Sequence, residues 1–362
     1  MSPTLHIIGA GMAGLSAALT ASARGMRVVV YEVSPHAGGR CRSYADKKLG
    51  MTIDNGNHLL LGANTEALGF LKDIGSLDTC LTRDPASFQF VDLATRKPHN
   101  IMPPRRFPGV PWYDWLRLVK LYNPAAHKTV AECVSPKSAL SQRLIEPLCL
   151  AALNTTPQEA SAAQLWQVIS RLLSGGEPAW RYYVPKDSLS ATFVLPAITR
   201  IKNSGGTFYF ENAVKGMERE GDRITAINFA GGKQTVRPED HVICAVPPQA
   251  LGALLPEIAP DFTYTAILNG HFAWKFAGTM RTTMPIIGVL GGTAQWLFLH
   301  EGRISTTTSA ADAWMEHDDE TIAARLWEDT RRALFMQDAK VPPYRIIKEK
   351  RATIAATPEN LA

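Results

Sequence analysis

The sequence lacks most of what would assign it to a membrane span, a metal or a nucleic acid. No apolar run reaches the roughly 20 residues of a bilayer-spanning helix. No CxxC pair occurs. The five cysteines (Cys41, Cys80, Cys133, Cys149, Cys244) are scattered and odd in number, which fits reduced thiols in a cytosolic protein rather than a disulfide framework or zinc site. The nine histidines show no HExxH-type spacing, so no metal is expected. Neither sign of charge dominates. The 38 Lys and Arg against 33 Asp and Glu leave a net +5, too mild for a dedicated nucleic-acid binder but compatible with an anionic membrane surface. The apolar opening, residues 5–23, ends like a secretory cleavage site. No Lys or Arg precedes it and its glycines have another explanation, so it is not read as a signal peptide. A cytoplasmic chain is expected, at most peripheral to the inner face of the membrane. What remains is ordinary globular material: 362 residues, 46% hydrophobic and 20% charged, enough for two domains.

The opening carries the first motif. Residues 4–8 (TLHII) suit a buried parallel strand, and Gly9-Ala10-Gly11-Met12-Ala13-Gly14 follows as G-x-G-x-x-G. An Ala- and Leu-rich helical stretch ends at Gly25, and RVVVY forms a second buried strand ending on Glu32. Gly9 permits the tight turn, Gly11 lets backbone approach a pyrophosphate, and Gly14 allows close helix–strand packing. The helix N-terminus attracts phosphate. Glu32 can accept from an adenosine ribose and disfavours a 2′-phosphate.

Eight residues beyond Glu32, after Gly38-Gly39, stands Arg40, a second loop able to approach phosphate, with a guanidinium for two-pronged contact. The combination E-x5-G-G-R resembles the amine-oxidase and phytoene-desaturase flavoproteins, and that resemblance implies FAD. It also implies that 205–214 lies over the adenine, with Val214 making backbone contact, and that 240–248 (DHVICAVPP) is a return strand into the nucleotide-binding sheet. The expected fold is α/β: a discontinuous Rossmann-like FAD-binding domain with a second, α+β substrate domain.

A third motif narrows the family. Asp54-Asn55-Gly56-Asn57-His58 is similar to the D-N-G-Q-H of the hydroxysqualene dehydroxylases of squalene and hopanoid biosynthesis, with Asn57 in place of the usual Gln. Leu153-Asn154-Thr155-Thr156-Pro157, Ala160-Ser161-Ala162, Gln295-Trp296-Leu297-Phe298, Ser309-Ala310-Ala311-Asp312 and Lys350-Arg351-Ala352-Thr353 also match that family. Gly56 joins the cofactor-binding residues, and His58 and Asp54 are the catalytic candidates. His58 either stands near the flavin as proton donor to a leaving hydroxyl or is a structural histidine holding a loop. Asp54 reads better as a loop-fixing carboxylate than as the acid.

The resemblance implies an allylic dehydroxylation in which hydride comes from reduced flavin and a proton assists the departing hydroxide. The substrate, hydroxysqualene, calls for a long apolar pocket. Trp296, Phe298, Phe272 and Trp274 either line it or are plain core. Reducing equivalents come from NADPH or from an electron-donor protein. Gly288-Val289-Leu290-Gly291-Gly292 lacks the helix and acid of a second dinucleotide site. Residues 112–122 read at helical period as amphipathic, with Trp112, Trp115, Leu116 and Val119 on one face and Arg105 and Arg106 upstream. A core helix of the substrate domain is the favoured reading there, ahead of a membrane-interface helix.

The expected division is 1–85 and 196–255 for the FAD-binding domain, 86–195 for a helix-rich substrate domain, 256–345 for substrate-domain strands, and 346–362 for the start of a C-terminal FAD-binding segment. Family members close with a Gly-Asp segment and a helix facing the flavin. Here Thr357-Pro358-Glu359 signals a helix start with almost nothing after it, so truncation is expected. Three other readings stand behind the dehydroxylase: a carotenoid or phytoene desaturase acting oxidatively, an amine oxidase whose aromatic cage is not found, and a silent flavin-fold scaffold.

Overall fold

The computed structural model describes residues 2–103, 109–275, 285–337 and 339–361; Arg105 and Arg106 lie outside them. Four parallel strands form the nucleotide-binding sheet in the order Thr207–Tyr209, Arg27–Tyr31, Thr4–Ile8, His241–Cys244. The expected return strand is therefore present, with Leu5 opposite His241 and Ile8 opposite Cys244. A parallel strand covered on both faces needs an unbroken apolar run, and Thr4–Ile8 is buried throughout. On one face the helix Met12–Ala23 packs Leu15, Ala18 and Leu19 with Ala197 and Ile201 of the helix Leu195–Asn203. On the other face Ile8, Val29 and Tyr31 meet Ile227 of an antiparallel sheet built from Val214–Glu220, Arg223–Phe229 and Gly232–Thr235, and Val236 just beyond it.

The second body is a seven-stranded sheet ordered Tyr344–Ile354, Tyr264–Ala273, Arg303–Thr308, Trp296–His300, Ile286–Leu290, Phe88–Asp92, Lys97–Ile101. Helix Asp319–Ala333 covers it with Ile322, Leu326 and Trp327. That helix is well specified at its ends: Asp318 caps Thr321 N at 2.8 Å, acids fill its first turn, and Arg331 and Arg332 sit in its last. Residues 346–354, expected to open a C-terminal FAD-binding segment, run as a strand of the large sheet paired with Tyr264–Gly270. The stretch 86–195 holds helices such as Glu146–Leu153 and Ala162–Ser174 together with the strands Phe88–Asp92 and Lys97–Ile101. The Gly288 segment is a strand and turn of this sheet, with Gly288 closed over by the Phe90 ring.

A helical cluster of Glu146–Leu153 and Ala162–Ser174 receives a ten-residue 3-10 helix, Trp112–Leu121. The favoured core-helix reading holds for only one side of this segment. Three residues per turn replace 3.6, so i and i+3 eclipse and the apolar residues split between two ridges. Leu121 is buried with Trp115 and Leu118 against the cluster, while Trp112, Leu116 and Val119 are exposed.

His271 is sealed in the large sheet, with Ser305 Oγ at 2.8 Å from Nδ1 and no hydrogen-bond partner at Nε2. Burial, helped by the Arg303 charge, pushes its pKa down to about 3. Below pH ~6.5 the unfolded chain therefore takes up a proton that the folded chain refuses. This stability is present above that pH and is lost as pH falls toward about 3. Urea unfolding from pH 7 to pH 4.5 should show stability falling by up to ~1.4 kcal/mol per unit from this group. His271→Gln should have a shallower fall.

Candidate active site

The two glycine loops close on each other. Gly38 N donates to Ala10 O at 2.8 Å, and Gly11 and Gly38 form a parallel bridge. Glu32 binds the first loop from the end of its strand: Oε2 accepts from Ala10 N at 2.7 Å and Oε1 from Ser34 N at 2.9 Å. A carboxylate has about four acceptor sites, so capacity for ribose hydroxyls remains. Asn212 N donates to Glu32 O at 2.9 Å, which carries the 205–214 segment to the same place, two residues before Val214. Arg40 directs Nη1 at the carbonyls of Ala352 (2.6 Å) and Arg351 (3.2 Å), a contact not foreseen from sequence. Its other donors have no protein partner among the described residues.

The glycines serve different needs. Gly9 has φ +103°, and a Cβ there would meet Ala245 O at 2.6 Å; a Cβ on Gly14 would overlap Gly9 O at 1.9 Å. Gly11 has φ −71°, open to any residue, and no protein atom lies within 4 Å of where its Cβ would be. Nothing in the protein itself requires glycine at position 11. The space beside it is suited to a ligand.

The loop after the strand Met51–Asp54 is held from three sides. Asp54, only 4% exposed, accepts from Ser43 Oγ at 2.6 Å and Leu189 N at 2.9 Å, and its Oδ2 lies 3.5 Å from Arg303 Nη2. Asn57 Nδ2 donates to Thr307 Oγ1 at 2.9 Å and Thr306 O at 3.2 Å, while its Oδ1 is buried without a partner. Gly56 sits against Asn269, where a Cβ would come within 3.4 Å of Nδ2. His58 is solvent-accessible and has no side-chain hydrogen bond among the described residues. Surrounding protein nevertheless desolvates the ring and lowers its pKa, while the Asp54 charge pulls the other way. Sequence reasoning missed Arg303, Asn269 and Thr307, which sit in an ordinary-looking strand pattern.

The match to known proteins extends along the chain. The family model for flavin-containing amine oxidoreductases matches residues 12–345. Hydroxysqualene dehydroxylase of Sinorhizobium fredii is 35% identical over 374 residues, covering 100% of this chain and 89% of that protein. The enzyme of the same name from Rhodopseudomonas palustris is 36% identical, with 99% and 88% covered. The chain belongs to the hydroxysqualene dehydroxylase family of flavin-containing amine oxidoreductases. By contrast, a zeta-carotene desaturase of Zea mays matches only 22% of the chain, at 33% identity. In fold, an oxidoreductase from Methanosarcina mazei superposes with TM-score 0.72 at 14% identity, covering 95% of this chain and 87% of that one.

The segments that carried the resemblance to the dehydroxylases converge in space. Asn154 ends its helix in the left-handed region (φ 49°). Its Nδ2 donates to Thr353 Oγ1 at 2.8 Å and its Oδ1 accepts from Ala310 N at 2.8 Å. Thr155 Oγ1 accepts from Ala356 N at 3.0 Å. Gln295 Oε1 accepts from Ser309 N at 2.9 Å and Asp312 from Ala266 N at 3.2 Å. Segments 153–157, 295–298, 309–312 and 350–353 thus make one buried joint.

The dehydroxylase family's flavin cofactor fits these residues, because the open flank of Gly11, the paired loops and the spare donors of Arg40 suit a pyrophosphate. Gly11→Val should keep the fold, with an unfolding midpoint within a few degrees of wild type, yet purify without flavin colour. Gly14→Val should lower the midpoint itself, because its methyls overlap the turn. Thermal unfolding beside a visible spectrum checks both; a coloured Gly11→Val would remove the pyrophosphate from that flank.

Proposed function

We propose that the protein reduces hydroxysqualene to squalene, a step of squalene and hopanoid biosynthesis. The observation that carries this reading is the likeness to dehydroxylases of that name along the whole chain. In the reaction an allylic C–O bond breaks and a C–H bond forms; two electrons enter, and the hydroxyl leaves as water after taking a proton. FAD, when bound and reduced by two electrons, would supply the hydride.

The chain's own part is to hold, enclose and protonate. Gly9, Gly11, Gly14, Gly38 and Gly39 seat the pyrophosphate with Arg40, Glu32 takes the ribose, and the backbone at Val214 meets the adenine. Gly56 keeps the loop's backbone close to the cofactor. Asp54 is a positioning residue, since its contacts are to the protein: Ser43, Leu189 and Arg303. His58 gives the proton to the leaving hydroxyl. Next to it Leu59 and Leu61 join an apolar wall with Phe88, Tyr182, Ile286 and Phe298, suited to a hydrocarbon chain. Phe272 and Trp274 pack against Trp327 on the other side of the sheet, as core. Tyr182 and Ile286 also border a half-open, mostly polar cavity of about 450 Å³ with Arg83, Gln89, His99 and Asn100. Electrons reach the cofactor from NADPH docking transiently or from a donor protein. No helix among the described residues is long and apolar enough to cross a membrane. Contact with the lipid that dissolves the substrate is proposed as peripheral, from the cytoplasmic side.

Photoreduced, flavin-loaded protein mixed anaerobically with detergent-dispersed hydroxysqualene should reoxidise and release squalene. A flavin that stays reduced would favour oxidative desaturation of a related polyisoprenoid. His58→Ala should retain its visible spectrum and turn over ~10²–10⁴-fold more slowly. Because enclosure lowers the His58 pKa, its acid form is scarce at neutral pH, and kcat/KM should rise as pH falls toward that pKa. The variant should lack this rise, and unchanged turnover would remove His58 from the mechanism.

A further inference from the structure

Exposed large apolar side chains are scattered singly over most of the surface, but five fall within residues 112–122: Trp112 (78% exposed), Tyr113 (55%), Leu116 (63%), Val119 (70%) and Tyr122 (68%). The 3-10 geometry accounts for the clustering. With three residues per turn, Tyr113, Leu116, Val119 and Tyr122 stack as one continuous outward ridge, and Trp112, the first residue of the ridge that turns inward, stays exposed beside it. The neighbouring ridge turns inward through Trp115, Leu118 and Leu121 and fixes the segment on the helical cluster. The Tyr122 ring rests edge-on against Trp166, which anchors the far end.

Charge is sorted in the same way. Residues 112–128 contain one carboxylate, Asp114, and it is buried, accepting from Arg117 Nε at 2.7 Å and Leu140 N at 3.3 Å. Arg117 is half-exposed and committed to Asp114, and Lys120 stands exposed beside it. An amphipathic helix of a globular surface normally shows the reverse, with its acids outward and its aromatics inward. Here the outward face joins aromatic and aliphatic bulk to the exposed Lys120, with the one acid of the segment turned inward, the combination that an anionic lipid interface accommodates. A second copy of the chain laid on this face would set cation against cation.

We propose that the 3-10 helix Trp112–Leu121, together with Tyr122, is a lipid-docking face. Its apolar ridge sinks into the headgroup layer of an anionic membrane, and Lys120 lies against lipid phosphates. The proposal stands on this surface; only its purpose, access to a substrate dissolved in lipid, rests on the function proposed above.

Flotation of the flavin-loaded protein with vesicles tests it. Wild type should bind mixed phosphatidylcholine–phosphatidylglycerol vesicles, bind phosphatidylcholine alone more weakly, and lose affinity as salt is raised. The triple variant Trp112→Ser, Leu116→Ser, Val119→Ser should bind more weakly by on the order of a hundredfold. Lys120→Glu should cost about tenfold or more on anionic vesicles only. An unchanged flavin spectrum and unfolding midpoint will show that the variants are folded; should the triple variant not fold, Trp112→Ser alone gives the same comparison. Equal binding of wild type and variants, or no binding by wild type, overturns the proposal. Self-association of wild type that the triple variant abolishes, without vesicle binding, would assign the face to a second copy instead. No substrate enters the assay, so its failure leaves the dehydroxylation reading standing, and failure of that reading leaves the vesicle result intact.

Discussion

A carboxylate can remain under a protein surface only where hydrogen bonds and opposite charge replace its water. Asp54 meets that condition by drawing three parts of the chain onto itself: Ser43 from the hairpin, Leu189 from the turn before the helix Leu195–Asn203, and Arg303 from the large sheet. Arg303 is equally buried, and its Nη1 also holds Thr52 O at 2.5 Å. Neither charge could stay buried alone. The pair therefore fixes where the nucleotide-binding part meets the large sheet, and the loop carrying Gly56, Asn57 and His58 hangs from that junction. Removing one partner of such a pair typically costs ~3–5 kcal/mol, most of it from the stranded charge. The loop is built on one of the least yielding contacts in the protein.

Asn154 solves a related problem without charge. Its left-handed backbone ends a helix, and its amide satisfies groups on two distant segments, Ala310 and Thr353. Asn is suited to this because it tolerates the left-handed region and offers both a donor and an acceptor. Aspartate would lose the donor to Thr353, and leucine would leave Ala310 N buried without a partner. A motif that looks like an isolated string in sequence is thus one side of a joint.

The nucleotide-binding half was legible because its constraints are local. A tight turn, a close helix and a strand-ending acid must fall at fixed spacings, so Gly9, Gly14 and Glu32 announce themselves, and the return strand at His241–Cys244 followed from family order. The large sheet was less legible, because its pairing is non-local: Tyr344–Ile354 reads as a terminal segment until its partner Tyr264–Ala273 is known. Arg303, Asn269 and Thr307 were invisible for the same reason, since alternation in a strand says which residues face inward but not what they meet. The segment 112–122 was misread through the period assumed. At 3.6 residues per turn Trp112, Trp115, Leu116 and Val119 share a face; at three per turn Trp115 goes in and Leu116 and Val119 go out.

The polar groups around the site share one feature. Asp54, Arg303, Asn57 and Asn154 spend their hydrogen bonds on the protein itself, and Leu59 and Leu61, which follow His58 in the chain, pack on Phe88, Tyr182 and Phe298. A hydrocarbon substrate offers almost nothing to hydrogen-bond, so polar residues aimed at it would stand desolvated and unpaired. The economical arrangement uses polarity to make the scaffold rigid and lets shape and exclusion of water select the ligand. His58 departs from that rule, since it is accessible, carries no protein hydrogen bond, and has its charged form disfavoured by its surroundings. Among neighbours committed to packing and to internal hydrogen bonds, a titratable group left unpaired is where a proton can be exchanged.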